Sequence, residues 1–285
     1  MTKEFPTSLR TKEAKLLWAD SALQTGQAAL IPAFLSELNT KHDADSLLLT
    51  AKAFEQQTNQ TQAVKHYRLT YFYGAGTGAA KEAEAKLKTL GDDLTPKTEE
   101  EIAARAERLF ETKNYAASVT AYNELLLNFP NTLTPQIQLN RLTALSNSKR
   151  MPEAQAVFNA IPSAAAEKPE AFYQLALGYA RNRQWAQARE TVEEMRRVMP
   201  KDDLTPKTWV AVGLAARDAK NKLEETYFLR SALTNYPNAV EVAGAQFELA
   251  WLEHESNNVQ EASKMLIEHL ARYVDKDSTN RGKAG

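Results

Sequence analysis

The chain has 285 residues, of which 43% are apolar and 25% charged, a balance typical of a folded globular protein. The 35 basic and 36 acidic residues give a net charge of −1, so we expect no bulk attraction to nucleic acid or to acidic lipid. The absence of cysteine excludes disulfides, thiolate catalysis and cysteine zinc sites. No apolar run reaches about 18 residues, and we therefore expect no insertion into a membrane.

The first 60 residues are helical by pattern but carry few anchors of any repeat. The segment TKEAKLLWADSALQTGQAALIPAFLSELN predicts helices of the kind that cap the end of a repeat protein. The opening MTKEFPTSLR lacks the charged-then-apolar pattern of a signal peptide. We assign residues 1–60 to N-terminal capping helices and residues 61–285 to helical repeats, continuous with the first segment as one elongated domain.

A glycine-rich segment, GAGTGA at residues 74–79, matches the G-x-G-x-x-G/A pattern of dinucleotide-binding loops. A nucleotide-binding fold needs parallel strands, but the alternation at period two that indicates strands is nearly absent from this chain. We therefore interpret the segment as a loop. It would join the helix QAVKHYRLTYFY to an extra helix at about Ala79 to Leu90.

A helix–turn–helix unit of about 34 residues recurs along the rest of the chain. In EAFYQLALGYARNRQWAQARETVEEMRRVMP, apolar residues share one face on each side of a break at 182–184, which predicts two helices of about 14 residues. One position in the second helix of each pair is expected to hold a small residue. The residues at this position are Ala63, Ser118, Ala154, Ala188, Glu225 and Ala262, with successive spacings of 55, 36, 34, 37 and 37 residues. Because Glu225 departs from the expected alanine, we expect its helix pair to pack less closely.

Helix starts point to the same architecture. The tripeptide LTP occurs at 94–96, 133–135 and 204–206, and threonine followed by proline is a start signal. Thr98 with Glu101 offers a competing capping box for the first of these. The sequence predicts an all-α, tetratricopeptide-like solenoid or superhelix of antiparallel helix pairs, with about 14 to 16 helices.

No segment indicates catalysis, a metal or a cofactor. The four histidines, His42, His66, His254 and His269, have no ligand spacing, and no P-loop or nucleophile-elbow signature occurs. The first helices of the pairs are expected to line a concave face, where exposed aromatic and arginine side chains would suit a peptide or sugar ligand. The alternative is packing against the next turn or against a partner domain. By repeat register the face presents Tyr173, Arg181, Arg217, Asp218, Trp251, His254 and Glu255.

The region from Leu47 to Leu127 has three successive elements with a shared pattern of aromatic and small residues. The first element has Ala63, Tyr67, Tyr71 and Tyr73, the second Ala80, Ala83 and Leu87, and the third Arg105, Ala106, Leu109, Tyr115 and Ser118. With these residues the region resembles the helical superhelix of soluble lytic transglycosylases, with Gly74–Gly78 in place of that family's P-x-S turn. The resemblance covers about residues 45 to 285.

This resemblance implies a non-catalytic, periplasmic region that cradles a catalytic domain and guides glycan or peptide stems. The parent enzyme would cleave the β-1,4 bond between N-acetylmuramic acid and N-acetylglucosamine to a 1,6-anhydro product. The closing DKDSTNRGKAG then resembles the approach to a further helix, and we expect a truncation before the catalytic domain. Glu255-Ser256 matches that domain's Glu-Ser pair in two letters only. The expected partners are peptidoglycan or a catalytic domain in cis.

The alternative is a free-standing tetratricopeptide-type scaffold that binds a protein or peptide in its concave groove. For such a scaffold the absence of a signal pattern leaves a cytoplasmic location open. Neither interpretation assigns an enzymatic activity to this chain itself.

Overall fold

The computed structural model of the chain describes residues 10–273, and among these residues all regular secondary structure is helical. The opening residues 1–9 and the closing DKDSTNRGKAG at 275–285, on which the expected truncation rests, lie outside the described residues. The chain divides into two compact units, Met1–Leu133 and Thr134–Gly285.

From residue 10 onward, the first unit contains eight α-helices and two short 3-10 helices, Ala28–Leu30 and Pro130–Thr132. The helices are α1 (Arg10–Gln24), α2 (Ile31–Phe34), α3 (Ser36–Thr40), α4 (Ala44–Gln56), α5 (Gln60–Tyr73), α6 (Gly78–Thr89), α7 (Glu99–Glu111) and α8 (Tyr115–Asn128). The second unit, described up to residue 273, contains eight more. They are α9 (Pro135–Asn147), α10 (Met151–Ala160), α11 (Lys168–Arg181), α12 (Trp185–Val198), α13 (Leu204–Asp218), α14 (Lys222–Asn235), α15 (Val242–Glu255) and α16 (Val259–Tyr273).

Six helix pairs share one turn geometry, and they confirm the predicted fold class. The pairs are α4/α5, α7/α8, α9/α10, α11/α12, α13/α14 and α15/α16. Each turn has one non-glycine residue in the left-handed region, with φ between 56° and 63°. The next amide donates back to a carbonyl five residues earlier, as from Gln184 N to Tyr179 O at 2.9 Å. The turn residues are Thr58, Lys113, Lys149, Arg183, Lys220 and Asn257.

These turns repeat at the same intervals as the positions expected to be small, so the sequence period is the structural period. Each unit is an all-α stack of antiparallel helix pairs of the tetratricopeptide type. The six register positions are all buried: Ala63, Ser118, Ala154, Ala188, Glu225 and Ala262.

The expected loosening at Glu225 is wrong. A Cβ atom added to Gly213 of α13 would lie 2.6 Å from Leu229 Cδ2 of α14, so the two helices cross closely. The close approach is made at Leu229, one turn after Glu225 along α14. The carboxylate therefore lies beside the crossing rather than in it.

The observed helix boundaries match the predicted ones where only one start signal is present in the sequence. Helices α11 and α12 are each 14 residues long, as predicted. Of the three LTP starts, only α9 begins at its proline, with the Thr134 side chain accepting from Ile137 N at 3.2 Å. Thr98 instead caps α7. Helix α13 begins at Leu204, and the Thr205 hydroxyl donates to Met199 O at 2.7 Å.

The GAGTGA segment is the connection between α5 and α6, as interpreted from the sequence. Gly76 has φ +87°, which favours glycine, and Thr77 caps α6 by accepting from Ala80 N at 3.2 Å. A Cβ atom at Gly74 would lie 2.7 Å from Ala44 Cβ, so this glycine lets the start of α4 approach the loop. The predicted extra helix is α6.

Helices α1, α2 and α3 pack on α4 around a separate apolar cluster of the first unit. The assigned limit at residue 60 falls on the first residue of α5 and so separates α4 from α5, which form one of the six pairs. The assignment of residues 1–60 as capping helices and of one elongated domain stays a prediction.

A buried arginine fixes the segment between α6 and α7. Arg68 of α5 is 4% exposed, and its Nη1 donates to Asp92 Oδ1 at 2.8 Å. Its Nη2 donates to Glu101 Oε2 at 2.7 Å and to Thr95 O at 2.8 Å. One guanidinium thus ties the α6–α7 connection and the first turn of α7 to α5.

Candidate functional site on the second unit

The first helices of the second unit are packed unevenly. Helix α11 lies directly against both α9 and α13, whereas α15 packs on its pair partner α16 and on α14 and only lightly on α13. Because α15 makes few contacts with α13, a cleft remains between the C-terminal ends of these two helices. Two clefts lie on this first-helix face.

The first cleft lies between α11 and α13 and has a volume of about 470 Å³. Of the residues predicted to bind a ligand, it contains Tyr173, Arg181 and Asp218. The Tyr173 ring is half-buried and has Lys207 Nζ 5.8 Å from its centroid. Arg181 Nη1 donates to Asn147 Oδ1 at 3.3 Å. The other lining residues are Leu177, Ala180, Arg183, Ala211, Leu214, Ala215 and Ala219.

The second cleft lies among α13, α14 and α15 and has a volume of about 320 Å³. It contains three more of the predicted residues: Arg217, Trp251 and Glu255. The remaining lining residues are Lys220, Lys222, Glu225, Glu248 and Leu252. We call these two surfaces the α11–α13 cleft and the α13–α15 cleft.

Trp251 is the most prominent aromatic side chain of the face. It is 52% exposed, and its ring stacks on His254 with centroids 5.3 Å apart and planes 27° apart. His254 was the one predicted residue outside the two cleft linings, and this stacking places it beside the α13–α15 cleft. All seven residues therefore lie in or next to the two clefts. Their role as ligand-binding residues stays a prediction.

Ion pairs neutralise two of the carboxylates in the α13–α15 cleft. Arg217 Nη1 lies 2.7 Å from Glu248 Oε1 and its Nη2 lies 3.5 Å from Asp218 Oδ1. Lys222 Nζ lies 3.0 Å from Glu255 Oε2, and its hydrogen bond lowers the pKa of that carboxyl group. These pairs join the end of α13 and the start of α14 to α15.

Glu225 is the exception in this cleft. Its side chain lines the cleft although the residue is only 3% exposed. Within residues 10–273, no group donates a hydrogen bond to its carboxylate, and no cation lies within ion-pair distance. Burial, and then the neighbouring charge of Glu248, raise its pKa to about 7. A carboxylate in this setting is expensive to keep charged.

The sequence does not predict Lys222, Glu225 and Glu248 as site residues. Glu225 does carry a signal, because it interrupts a series of alanine and serine at one repeat position. The signal predicts looser packing, whereas the structure shows a buried acid on a cleft wall. For Lys222 and Glu248 no sequence signal exists, since charged residues on helix surfaces are common.

The described part of the chain holds no cluster of three or more His, Asp or Glu side chains arranged to bind a metal ion. His66 contacts Gln62 O at 2.9 Å, and His42 stacks on Tyr73 with centroids 3.9 Å apart. Across residues 10–273, every helix is too short or too polar to cross a membrane.

Neither a protein-family model nor a curated protein matches the chain. Solved structures match at low identity. The apo form of the quorum sensor NprR from B. thuringiensis is 10% identical, with 99% of this chain and 88% of that chain covered and a TM-score of 0.36. PilF of Pseudomonas aeruginosa is 14% identical, with 83% and 96% covered and a TM-score of 0.33. The TPR domain of P58(IPK) is 14% identical, with 95% and 87% covered and a TM-score of 0.31.

At these scores the similarities lead to no conclusion about function. The fold assignment rests on the six helix pairs and their common turn.

Proposed function

We propose that the second unit is a tetratricopeptide-type scaffold that binds a polypeptide partner across the α11–α13 and α13–α15 clefts. The observation that carries this proposal is the exposed Trp251 beside a cleft that holds a buried carboxylate without a hydrogen-bond donor. Exposed aromatic side chains next to polar groups are the anchors from which protein interfaces gain most of their affinity.

The two clefts suit an extended chain because they meet along one helix. Asp218 lines the α11–α13 cleft, while Arg217, its neighbour and ion-pair partner, lines the α13–α15 cleft. A polypeptide can therefore cross the end of α13 and place successive side chains in both clefts. A single small molecule would occupy one of them.

Selection of peptides from a displayed library on the full chain tests this function. Tyr173→Ala and Trp251→Ala are expected to weaken the selected peptides at least tenfold each, because both remove an aromatic anchor. Val198→Ala is the matched control, since this 47% exposed side chain lies on α12, away from both clefts. Equal affinity for all three variants and the native chain would show that binding takes place elsewhere.

A second candidate is the helical region of a periplasmic lytic transglycosylase, which itself would not cleave glycan. It is supported by the resemblance over residues 47–127 and by the buried cluster in which that motif lies. Tyr67 and Leu87 are fully buried there, and the residues of the second element of the motif, Ala80, Ala83 and Leu87, lie in α6. In this function the clefts would receive the catalytic domain or the peptide stems of peptidoglycan.

Two measurements test this candidate. The gene beyond Gly285 is expected to continue into a domain with a Glu-Ser pair, and a stop codon there would contradict the candidate. The purified chain is expected to release no anhydromuropeptide from sacculi, and any such product would contradict the assignment of this chain as non-catalytic.

A further inference from the structure

Glu225 is the one large residue at the second-helix position where a small residue is expected. This position is buried in all six pairs. The equivalent buried positions of the other pairs hold four alanines and one serine: Ala63, Ser118, Ala154, Ala188 and Ala262. An acidic side chain there carries the cost of burying a carboxylate, which alanine does not. No described residue donates a hydrogen bond to this carboxylate, which lines the cleft, so a donor on a ligand in the cleft can reach it.

The charges around Glu225 favour a cationic ligand. Glu248 is matched by Arg217, and Glu255 is matched by Lys222. The third carboxylate, Glu225, has no ion-pair partner among residues 10–273. The lining holds three cations as well as three carboxylates, but the third cation, Lys220, is exposed and forms no ion pair with Glu225. A ligand cation bound at Glu225 would give this carboxylate the direct partner that the other two have.

The size of the α13–α15 cleft and its tryptophan wall further restrict the kind of cation that fits. The cleft has a volume of about 320 Å³, which admits one side chain, and Trp251 is one of its walls. A tryptophan face is the best aromatic partner for a cation. A primary ammonium group is compact and has three donors, so it can bind a buried carboxylate from the end of an apolar stem.

We infer that the α13–α15 cleft binds the side chain of a lysine in the polypeptide partner, with Glu225 as its counter-ion and the Trp251 ring against it. This inference rests on the proposed scaffold function and adds the chemistry of the partner. A lysine carried by a polypeptide is favoured over a free amine because the cleft adjoins the α11–α13 cleft at Arg217 and Asp218.

Fluorine NMR of the full chain labelled with 5-fluorotryptophan tests the inference. The chain has four tryptophans, and Trp251→Phe identifies the resonance of Trp251. The probes are an end-capped heptapeptide with one central lysine between alanine, serine and glycine, the same peptide with acetyllysine, and free 1,5-diaminopentane. Titrations at pH 8 keep the Glu225 carboxyl group largely ionised.

We expect the lysine peptide to shift the Trp251 resonance, and the acetyllysine peptide and the free diamine to bind at least tenfold more weakly. Glu225→Gln and Glu225→Ala should each weaken the lysine peptide at least tenfold. Glu225→Ala restores the residue found in other pairs and is therefore expected to fold. The matched control is Glu153→Gln, which removes the same charge from the exposed surface of α10, outside both clefts.

Undiminished binding to both Glu225 variants, or equal binding of the acetylated peptide, would overturn the inference. Equal binding of the free diamine would overturn the assignment to a polypeptide. If the lysine peptide fails while library-selected peptides still require Tyr173 and Trp251, the lysine assignment is wrong and the scaffold function stands. If those selected peptides also ignore both aromatic residues, the scaffold function is wrong too.

Discussion

The guanidinium group of Arg217 lies 2.7 Å from the carboxylate of Glu248, and this ion pair joins α13 to α15 across the α13–α15 cleft. Helix α15 otherwise packs on α16 and α14 and only lightly on α13. The pair neutralises Glu248, whereas Glu225 on the cleft wall has no ion-pair partner among residues 10–273, and its pKa is raised by burial although the charge of Arg217 lowers it in part. The stability of the second unit should therefore depend on the charge of one buried acid.

Glu225→Gln is expected to stabilise the protein at high pH and to have little effect at low pH. The pKa of Glu225 is raised from 4.5 to about 7, so the folded state binds its proton more tightly than the unfolded state does. The stability from this group is fully present below about pH 4.5 and is lost as the pH rises through 7. The loss amounts to about 3 kcal/mol at pH 8.

Urea unfolding of the native chain and of Glu225→Gln from pH 4 to pH 8 measures this difference. The two free energies of unfolding should converge at pH 4 and differ most at pH 8, where the variant is the more stable. Parallel curves over the whole range would show that Glu225 titrates as it does in the unfolded chain.

Arg68→Ala is expected to destabilise the first unit by about 3–5 kcal/mol, because it leaves two carboxylates near the protein interior without their partner. The side chains of Arg68 and Asp92 are only 5% and 8% exposed. The control is Arg108→Ala, which breaks an exposed pair with Glu111 and should cost less than about 1 kcal/mol. Hydrogen exchange of amides in α5 and α7 gives the readout, and equal effects of the two variants would contradict the bridging role of Arg68.

Gly178→Ala is expected to destabilise the second unit by about 1–3 kcal/mol, because a new methyl group meets a rigid neighbour. An added Cβ atom would lie 2.8 Å from Ser146 Cβ, where α11 crosses α9. Gly78→Ala is the control, since nothing lies within 4 Å of its added Cβ atom at the start of α6. The check is thermal unfolding, and a neutral Gly178→Ala would mean that these first helices do not approach so closely.

Lys149→Gly is expected to stabilise the protein by roughly 0.5–1 kcal/mol, because glycine adopts the left-handed region without the penalty that a side chain carries. Lys149 has φ 62° in the turn between α9 and α10. Lys264→Gly removes the same charge from the exposed middle of α16 and should cost about 1 kcal/mol instead. Opposite signs in urea unfolding are the expected result, and a loss of stability in both variants would contradict the turn geometry.

The repeat itself was predictable because packing imposes it on the sequence. Small residues such as Ala154 and Ala188 are needed where helices cross, and their spacing reveals the period without any structure. The six turns gave no comparable signal. Their left-handed positions are held by lysine, arginine, asparagine and threonine rather than by glycine, so no glycine marks them.

The candidate site was predictable only in part. Repeat register placed Tyr173 and Trp251 on one face, because both belong to first helices. The pairing of Arg217 with Glu248 and the light packing of α15 on α13 arise from tertiary contacts between helices about 30 residues apart. No local pattern encodes such contacts, which is why Glu225 was interpreted as a defect in packing.

The scaffold function is tested most directly by photocrosslinking of library-selected peptides to benzoylphenylalanine placed at Trp251 or, as a control, at Val198. We expect a crosslinked product from position 251, lost on competition with unlabelled peptide, and none from position 198. A competable product at 198 with none at 251 would contradict the account, since the partner would then bind away from the first-helix face.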